Sequence, residues 1–365
     1  MDICYLQFYV KDATYWRTWF VKQFYFQPVA DTKTDDQHTI ILTQGGATIV
    51  LSSPQHDDCA IANYLNHHPP GLVNVAFEVS HLEATVAAAL AAGMPLLEPI
   101  QTEQHPRGLL RWCQVQGWGT ICHTLVERCG QAPQVPGIGQ NEQSLTGADS
   151  PSGDVYFLGI DHAVINVARG ELQRAIAWYE EGLGFQQQQS FTINTQYSGL
   201  ASQVLRHPTG TAQLPINEPT STNSQIQEFL DYNQGAGVQH VALATQDLVT
   251  TLKALRSRHL EFLSVPQTYY EQLHQRPGFR EQGVDWEGIA TQQILVDWPP
   301  DMPQAILLQT FTQPIFGKPT FFFEIIERYQ YEINDRILTA QGFGEGNFQA
   351  LFEAMEREQR QRGSL

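Results

Sequence analysis

The chain is short of positive charge. Only 21 of its 365 residues are Lys or Arg against 38 Asp or Glu, a formal charge of −17, and no basic cluster interrupts the deficit. Nucleic acid and anionic membrane surfaces are therefore poor partners. A small organic acid is not excluded, because a local site can override the global field. Cysteine is scarce as well. The five present (Cys4, Cys59, Cys113, Cys122, Cys129) are odd in number, confined to the first 130 residues and free of any C-x-x-C pair. They read as free thiols in a reducing compartment rather than a disulfide framework. No apolar run approaches the length of a membrane span, and the start, MDICYLQFYVKD, lacks a basic region followed by an apolar one. Cytoplasm is the expected compartment. What is present is an ordinary globular composition, 42% hydrophobic and 16% charged, with enough chain for two domains with substantial cores.

Residues 130–154, GQAPQVPGIGQNEQSLTGADSPSGD, carry no hydrophobic periodicity. They predict a linker over 131–154 between domains at 1–130 and 155–365. The two halves repeat each other. GLVNVAFEVSHLEATVAAALAAGMPLLEP, from Gly71, aligns without gaps to GVQHVALATQDLVTTLKALRSRHLEFLSVP, from Gly237. Each reads as strand, polar turn, amphipathic helix, strand. ICYLQFYV from Ile3 lies over IDHAVINV from Ile160, each followed by an aromatic-rich helical stretch, and ICHTLVER (121–128) lies over FFFEIIER (321–328). The expected class is α+β: tandem βαβββ modules, two per half, each half an incomplete barrel around a cavity.

Superimposing the halves exposes three coordinated differences. His162 falls opposite Tyr5, His240 opposite Asn74, and Glu324 opposite Thr124. In TFFFEIIER, Glu324 shares one strand face with Phe322 and Ile326, while Phe321 and Phe323 take the other. A buried carboxylate among apolar neighbours needs a partner or a cation. Taken singly, a His in an apolar strand is more often a hydrogen-bonded core residue than a ligand. Two His and one Glu at repeat-equivalent positions form the ligand inventory of the facial triad, which holds non-haem Fe(II) with open positions; Zn(II) and Mn(II) suit the same donors.

IDHAVINV, LPINEP, SQIQEFLDYN, GAGVQHVAL, LEFLSVPQTYYEQL, ILVD, LLQTFT, FFFEIIER and GFGEGNFQALFEAMEREQ, in that order, resemble the 4-hydroxyphenylpyruvate dioxygenases. The likeness is dense over about the last 210 residues, and the first half resembles the metal-free copy this family also carries. The resemblance implies the vicinal-oxygen-chelate (glyoxalase-like) fold, Fe(II) held by His162, His240 and Glu324, and conversion of 4-hydroxyphenylpyruvate and dioxygen to homogentisate and carbon dioxide. That reaction comprises oxidative decarboxylation, ring hydroxylation and side-chain migration, in tyrosine breakdown or prenylquinone synthesis. A homo-oligomer, dimer or tetramer, is the expected assembly.

By the same resemblance Ser202, Asn217, Gln225, Gln239 and Gln309 contact the substrate, Phe311, Phe322, Phe343 and Phe348 wall it, and Asn347 joins them. Read on their own residues, several have plainer alternatives. Asn217 between two prolines fits a turn equally well. Gln309 alternates with Leu307 and Phe311 onto one strand face. Gln239 should point away from the interior that His240 occupies, unless the strand is locally distorted. Phe348, Leu351, Phe352 and Met355 recur at helical spacing after Asn347, which reads as an N-cap, so the C-terminal stretch predicts a lid helix behind a GFGEG hinge. GFGEG is weak as a phosphate loop, because no strand–loop–helix setting surrounds it. The segment 274–304, with ILVDWPPDMPQAILLQ, departs from the family, makes a stiffer hairpin and is expected away from the metal. Three alternatives share this fold: a 4-hydroxymandelate synthase acting on the same substrate, an extradiol catechol dioxygenase, which LPINEP and the lid do not suit, and a non-catalytic binding protein, against which the retained triad argues.

Overall fold

The computed structural model describes residues 1–137, 155–195, 198–280, 283–317, 319–344, 346–348, 359–360 and 363. In the first half β1 (Asp2–Tyr9), α1 (Ala13–Phe24), β2 (Gln27–Lys33), β3 (Gln37–Gln44) and β4 (Ala47–Pro54) form one βαβββ unit. After α2 (Ala60–His67) come β5 (Gly71–Glu78), α3 (Leu82–Ala91), β6 (Leu96–His105), β7 (Gly108–Gln116) and β8 (Cys122–Gly130), a second unit. The second half starts with β9 (Phe157–Asn166), α4 (Leu172–Leu183), β10 (Gln186–Asn194), β11 (Gly199–Arg206), β12 (Gln213–Pro219) and α5 (Gln225–Asn233). It continues through β13 (Gly237–Thr245), α6 (Leu248–Ser257), α7 (Gln267–Leu273), α8 (Trp286–Thr291), β14 (Leu295–Asp297), β15 (Leu307–Phe311) and β16 (Phe322–Arg328), then a hairpin, β17 (Gln330–Ile333) and β18 (Arg336–Thr339).

Each half is one eight-stranded mixed sheet curled into an incomplete barrel, ordered β2-β3-β4-β1-β5-β8-β7-β6 and β10-β11-β12-β9-β13-β16-β15-β14. The registers repeat with the order. Tyr5 pairs with Ala76 as His162 pairs with Ala242, and Phe77 pairs with Leu125 as Leu243 pairs with Ile325. Gapless alignment of the halves therefore marks equivalent places in space. One expected strand is largely missing. LEFLSVP, aligned with the start of β6, makes a single bridge, Phe262 to Thr312, before the chain leaves the sheet for α7 and α8. Short β14 takes the edge place that β6 holds in the first half.

The two halves share a core. Asp12 opens α1 by accepting the Tyr15 N–H at 3.0 Å, and the helix then buries Phe20 and Phe24. Those rings meet Phe323, with centroids 6.0 Å apart for Phe20–Phe323 and 5.1 Å for Phe24–Phe323, and Phe8 joins Phe20 to Phe321, 5.0 Å away. The outward face of β16 thus packs on the aromatic helix of the other half, each buried ring contributing roughly 1.5–3 kcal/mol. Between α3 and α4, Met94 lies where a side chain on Gly182 would sit, which explains the glycine inside a helix. Residues 131–137 are not free of the fold either: Ala132 and Val135 are buried against Tyr5 and Val126. Among the described residues no helix is long and apolar enough to cross a membrane.

A histidine joins the halves. His123 donates from Nδ1 to the Val75 carbonyl at 2.9 Å and accepts at Nε2 from the Tyr179 hydroxyl of α4 at 3.1 Å. Full burial lowers its pKa to about 4. Below the unfolded value near 6.5, the unfolded chain binds a proton that the fold refuses, so stability falls as pH drops from 6.5 towards 4. This residue should cost about 2 kcal/mol between pH 7 and pH 5. Urea unfolding at the two pH values should show that loss, reduced in His123→Gln; an equal loss in the variant would assign it elsewhere.

Candidate metal centre

Paired residues on neighbouring strands share a sheet face. One row across the second sheet runs His162 (β9), Ala242 (β13), Glu324 (β16), Phe311 (β15). The next runs Val164, His240, Phe322. Both rows look into the barrel. Ala242, the smallest member, leaves open the space into which His162 and Glu324 converge. Glu324 Oε2 lies 3.3 Å from His162 Nε2 and 3.6 Å from His240 Nε2, and one donor atom from each residue falls within 4.8 Å of the others. Relative exposures of 2%, 4% and 1% remove all three from solvent.

Adjacent donors on one face of an octahedral ion, with bonds of about 2.1 Å, stand about 3 Å apart. Two of the three separations, 3.3 and 3.6 Å, already approach that spacing, and the donor set as a whole lies within 4.8 Å, close enough to converge on one divalent cation. Their electrostatics agree. Burial works against charge on His162, but Glu324 and Asp161 outweigh it and raise the imidazole to about 9. Burial, then the charge on His162, hold His240 well below its ordinary value. The carboxylate thus draws positive charge into a site where only one imidazole can carry it.

The structure also shows what orients these groups. His162 Nδ1 lies 2.8 Å from Asp161 Oδ1, and Asp161 takes two further hydrogen bonds from Arg328, each 2.8 Å. The Asp161 side chain is only 10% exposed, yet Arg328 keeps its carboxyl well below the usual range. Gln309 donates to Glu324 Oε1 and to the Phe343 carbonyl, both at 2.9 Å, and its Oε1 accepts from Asn347 Nδ2 at 2.9 Å. Asn347 Oδ1 in turn lies 2.9 Å from the Tyr269 hydroxyl. Gly344, at φ 73°, brings the backbone against Gln309 so closely that any side chain there would collide with its amide. Phe322 stacks on His240 at 4.7 Å, and Phe343 meets His162 edge-on at 5.1 Å.

In the first half the same positions hold a neutral cluster. Asn74 donates to Thr124 Oγ1 at 2.7 Å and to Gln7 Oε1 at 3.1 Å, and accepts the Thr124 N–H at 2.9 Å, with the Tyr5 ring buried beside them. Every polar group is matched by another polar group, and nothing there asks for a cation.

The pocket residues fall in two groups. Ser202, Asn217 and Asn166 form a row across β11, β12 and β9, with Asn217 Nδ2 3.3 Å from Asn166 Oδ1. Asn217 is therefore in a strand and not in a turn, its flanking prolines accommodated within β12. At the β10 end of the row, Phe191 pairs with Ser202 and stacks on Phe348 at 4.6 Å. Gln225, at the start of α5, and Gln239 line a second recess with Phe229, Leu263, Gln313 and Gln359. The three metal-site residues do not line that recess; it adjoins them through Gln239. Gln239 pairs with no β9 residue, because the ladder slips between Val238 and His240, and so turns to the same side as His240. Ser202 Oγ and Gln225 Oε1 are buried without a protein partner among the described residues.

Two expectations change. Asn347 lies within a helical turn, 346–348, and spends its side chain on Gln309 and Tyr269 rather than on a cap. The segment 274–304 reaches the site's rim: Arg276 pairs with Asp297, and Asp297 accepts the Gly346 N–H at 3.1 Å, one residue before Asn347. Leu351, Phe352 and Met355 of the expected lid helix lie outside the described residues. Sequence reasoning missed Asp161, Arg328, Asn166 and Tyr269. Asn166 carried a signal, since it alternates with His162 and Val164 on one strand face. Tyr269 carried none, being on a helix with no counterpart in the first half.

Fold and site together define a vicinal-oxygen-chelate protein whose second barrel presents a metal-ligand set. The Glyoxalase/Bleomycin resistance protein/Dioxygenase superfamily matches residues 159–283. A 4-hydroxyphenylpyruvate dioxygenase of Caenorhabditis briggsae is 36% identical over 99% of this chain and 92% of its own. An uncharacterized protein of Synechocystis is 34% identical over 99% of both chains. In structure, a mutant of 4-hydroxymandelate synthase from Streptomyces coelicolor superposes with a TM-score of 0.81, 26% identity and 98% coverage of both chains. The chain belongs to the 4-hydroxyphenylpyruvate dioxygenase family and is an enzyme of that class.

Proposed function

We propose that this enzyme converts 4-hydroxyphenylpyruvate and dioxygen to homogentisate and carbon dioxide, with Fe(II) held by His162, His240 and Glu324. The observation that carries the reading is the convergence of two imidazoles and one carboxylate in a buried site of this family. Bound there, Fe(II) supplies chelation of the α-keto acid and activation of dioxygen. Two neutral imidazoles and a carboxylate leave a divalent ion one positive charge, which a keto-acid anion matches. Gln309 orients Glu324, and the rings of Phe311, Phe322 and Phe343 give the substrate ring apolar walls. Ser202, Asn217, Gln225 and Gln239 offer neutral donors and acceptors to phenol and keto acid, so they add no charge to the site. Phe348 on Phe191 closes one side and excludes water.

The likeness to 4-hydroxymandelate synthase supports a second reading, oxidation at the benzylic carbon of the same substrate. Purified protein given Fe(II), ascorbate and 4-hydroxyphenylpyruvate should consume oxygen and yield homogentisate on chromatography. Hydroxymandelate as the product would replace the first reading with the second; iron binding without turnover would point to a binding protein.

A further inference from the structure

Neighbouring residues on a regular strand point to opposite faces, so Asp161 should face away from His162. It does not. The β9–β13 ladder slips between the pairs His162–Ala242 and Ile160–Leu243, leaving Asp161 unpaired in a bulge. The bulge turns its carboxylate to the ring beside it, 2.8 Å from Nδ1. The same slip occurs in β1, between Ile3 and Tyr5, where the unpaired residue is Cys4. There the arginine equivalent to Arg328, Arg128, reaches Glu78 at 2.6 Å instead. Bulge and arginine are thus common to both halves, whereas the carboxylate accompanies the metal-ligand set alone.

We propose that Asp161 and Arg328 are positioning residues for the metal site. A carboxylate oxygen only accepts, so Nδ1 of His162 is the donor and the Nε2 lone pair is committed to the metal position. Arg328 fixes Asp161 through two hydrogen bonds and, from Nη1, holds the carbonyls of Ala340 at 3.2 Å and Gly342 at 2.8 Å. Those carbonyls lie three residues and one residue before Phe343, whose ring lies against His162. One guanidinium thereby sets both the ligand's orientation and the wall over it. His240 lacks such a device: its Nδ1 has no partner among the described residues, and stacking on Phe322 holds its ring.

The inference rests on the metal reading, and its test separates the two. Full-length apoprotein is titrated anaerobically with Fe(II), and with Co(II) as an absorption probe. Arg328→Ala alone would strand a buried carboxylate, so the variants are Asp161→Asn and the neutral double change Asp161→Asn with Arg328→Met. The double variant should bind either ion 10–100-fold more weakly, the loss typical of an outer partner of a ligating His, with altered Co(II) bands and apoprotein melting close to wild type. Should it not fold, Asp161→Asn carries the test with a several-fold loss. Wild-type affinity and Co(II) bands in whichever variant folds would overturn the positioning role while leaving the metal site standing. Wild-type protein that takes up neither ion would overturn both.

Discussion

Glu324→Ala is expected to abolish iron retention and turnover, whereas Thr124→Ala, at the equivalent place in the first half, keeps both. Glu324 is the one anionic donor of the three and is 1% exposed. Its removal leaves two imidazoles with no carboxylate between them, and frees the Gln309 amide that donated to it. The loss should exceed the 10–100-fold that follows removal of a ligand's outer partner, because a ligand itself is gone. Thr124→Ala removes one hydroxyl from a neutral cluster and should cost about 1–3 kcal/mol of stability, leaving the Asn74 amide underbonded. Metal analysis after dialysis, with oxygen uptake in excess Fe(II), measures both variants. Equal losses in the two would undo the functional asymmetry of the halves.

That asymmetry is also what made the site legible. No single residue of the triad announces a metal; the comparison of His162 with Tyr5, His240 with Asn74 and Glu324 with Thr124 does, because gapless repeats align equivalent strand positions. Alternation likewise put Gln309 on one strand face with Leu307 and Phe311, and required a distorted strand for Gln239 to face the site. What the sequence could not disclose depends on pairing between distant strands. A bulge is defined by the partner's register, so alternation along β9 gives no sign that Asp161 turns to the His162 ring beside it. LEFLSVP has a strand's composition, yet it gains only one bridge because the chain departs immediately into α7 and α8. Tyr269 and Asp297 meet the Asn347 turn only because that departure folds back over the barrel's rim.

The small residue between the ligands supports the second large effect. Ala242 sits in the row between His162 and Glu324, fully buried, its Cβ facing the space where the two side chains converge. Ala242→Leu would push three more carbons toward that space, with Leu307 and Ile326 already against the alanine. Overpacking of this kind costs typically 1–3 kcal/mol, which a chain with this much shared core should survive. Metal binding should not survive it: the leucine must displace either the His162 imidazole or the Glu324 carboxylate, and either movement separates donors now 3.3 Å apart. The expected result is a folded protein, by circular dichroism and melting, with no retained iron and activity lost to the same degree as in Glu324→Ala. An ordinary apolar side chain in the middle of a strand would then do as much harm as deleting a donor, because the row needs empty space above this position. Retention of iron by Ala242→Leu would show that the donors close over the metal from the other side, and that the row geometry does not govern access to it.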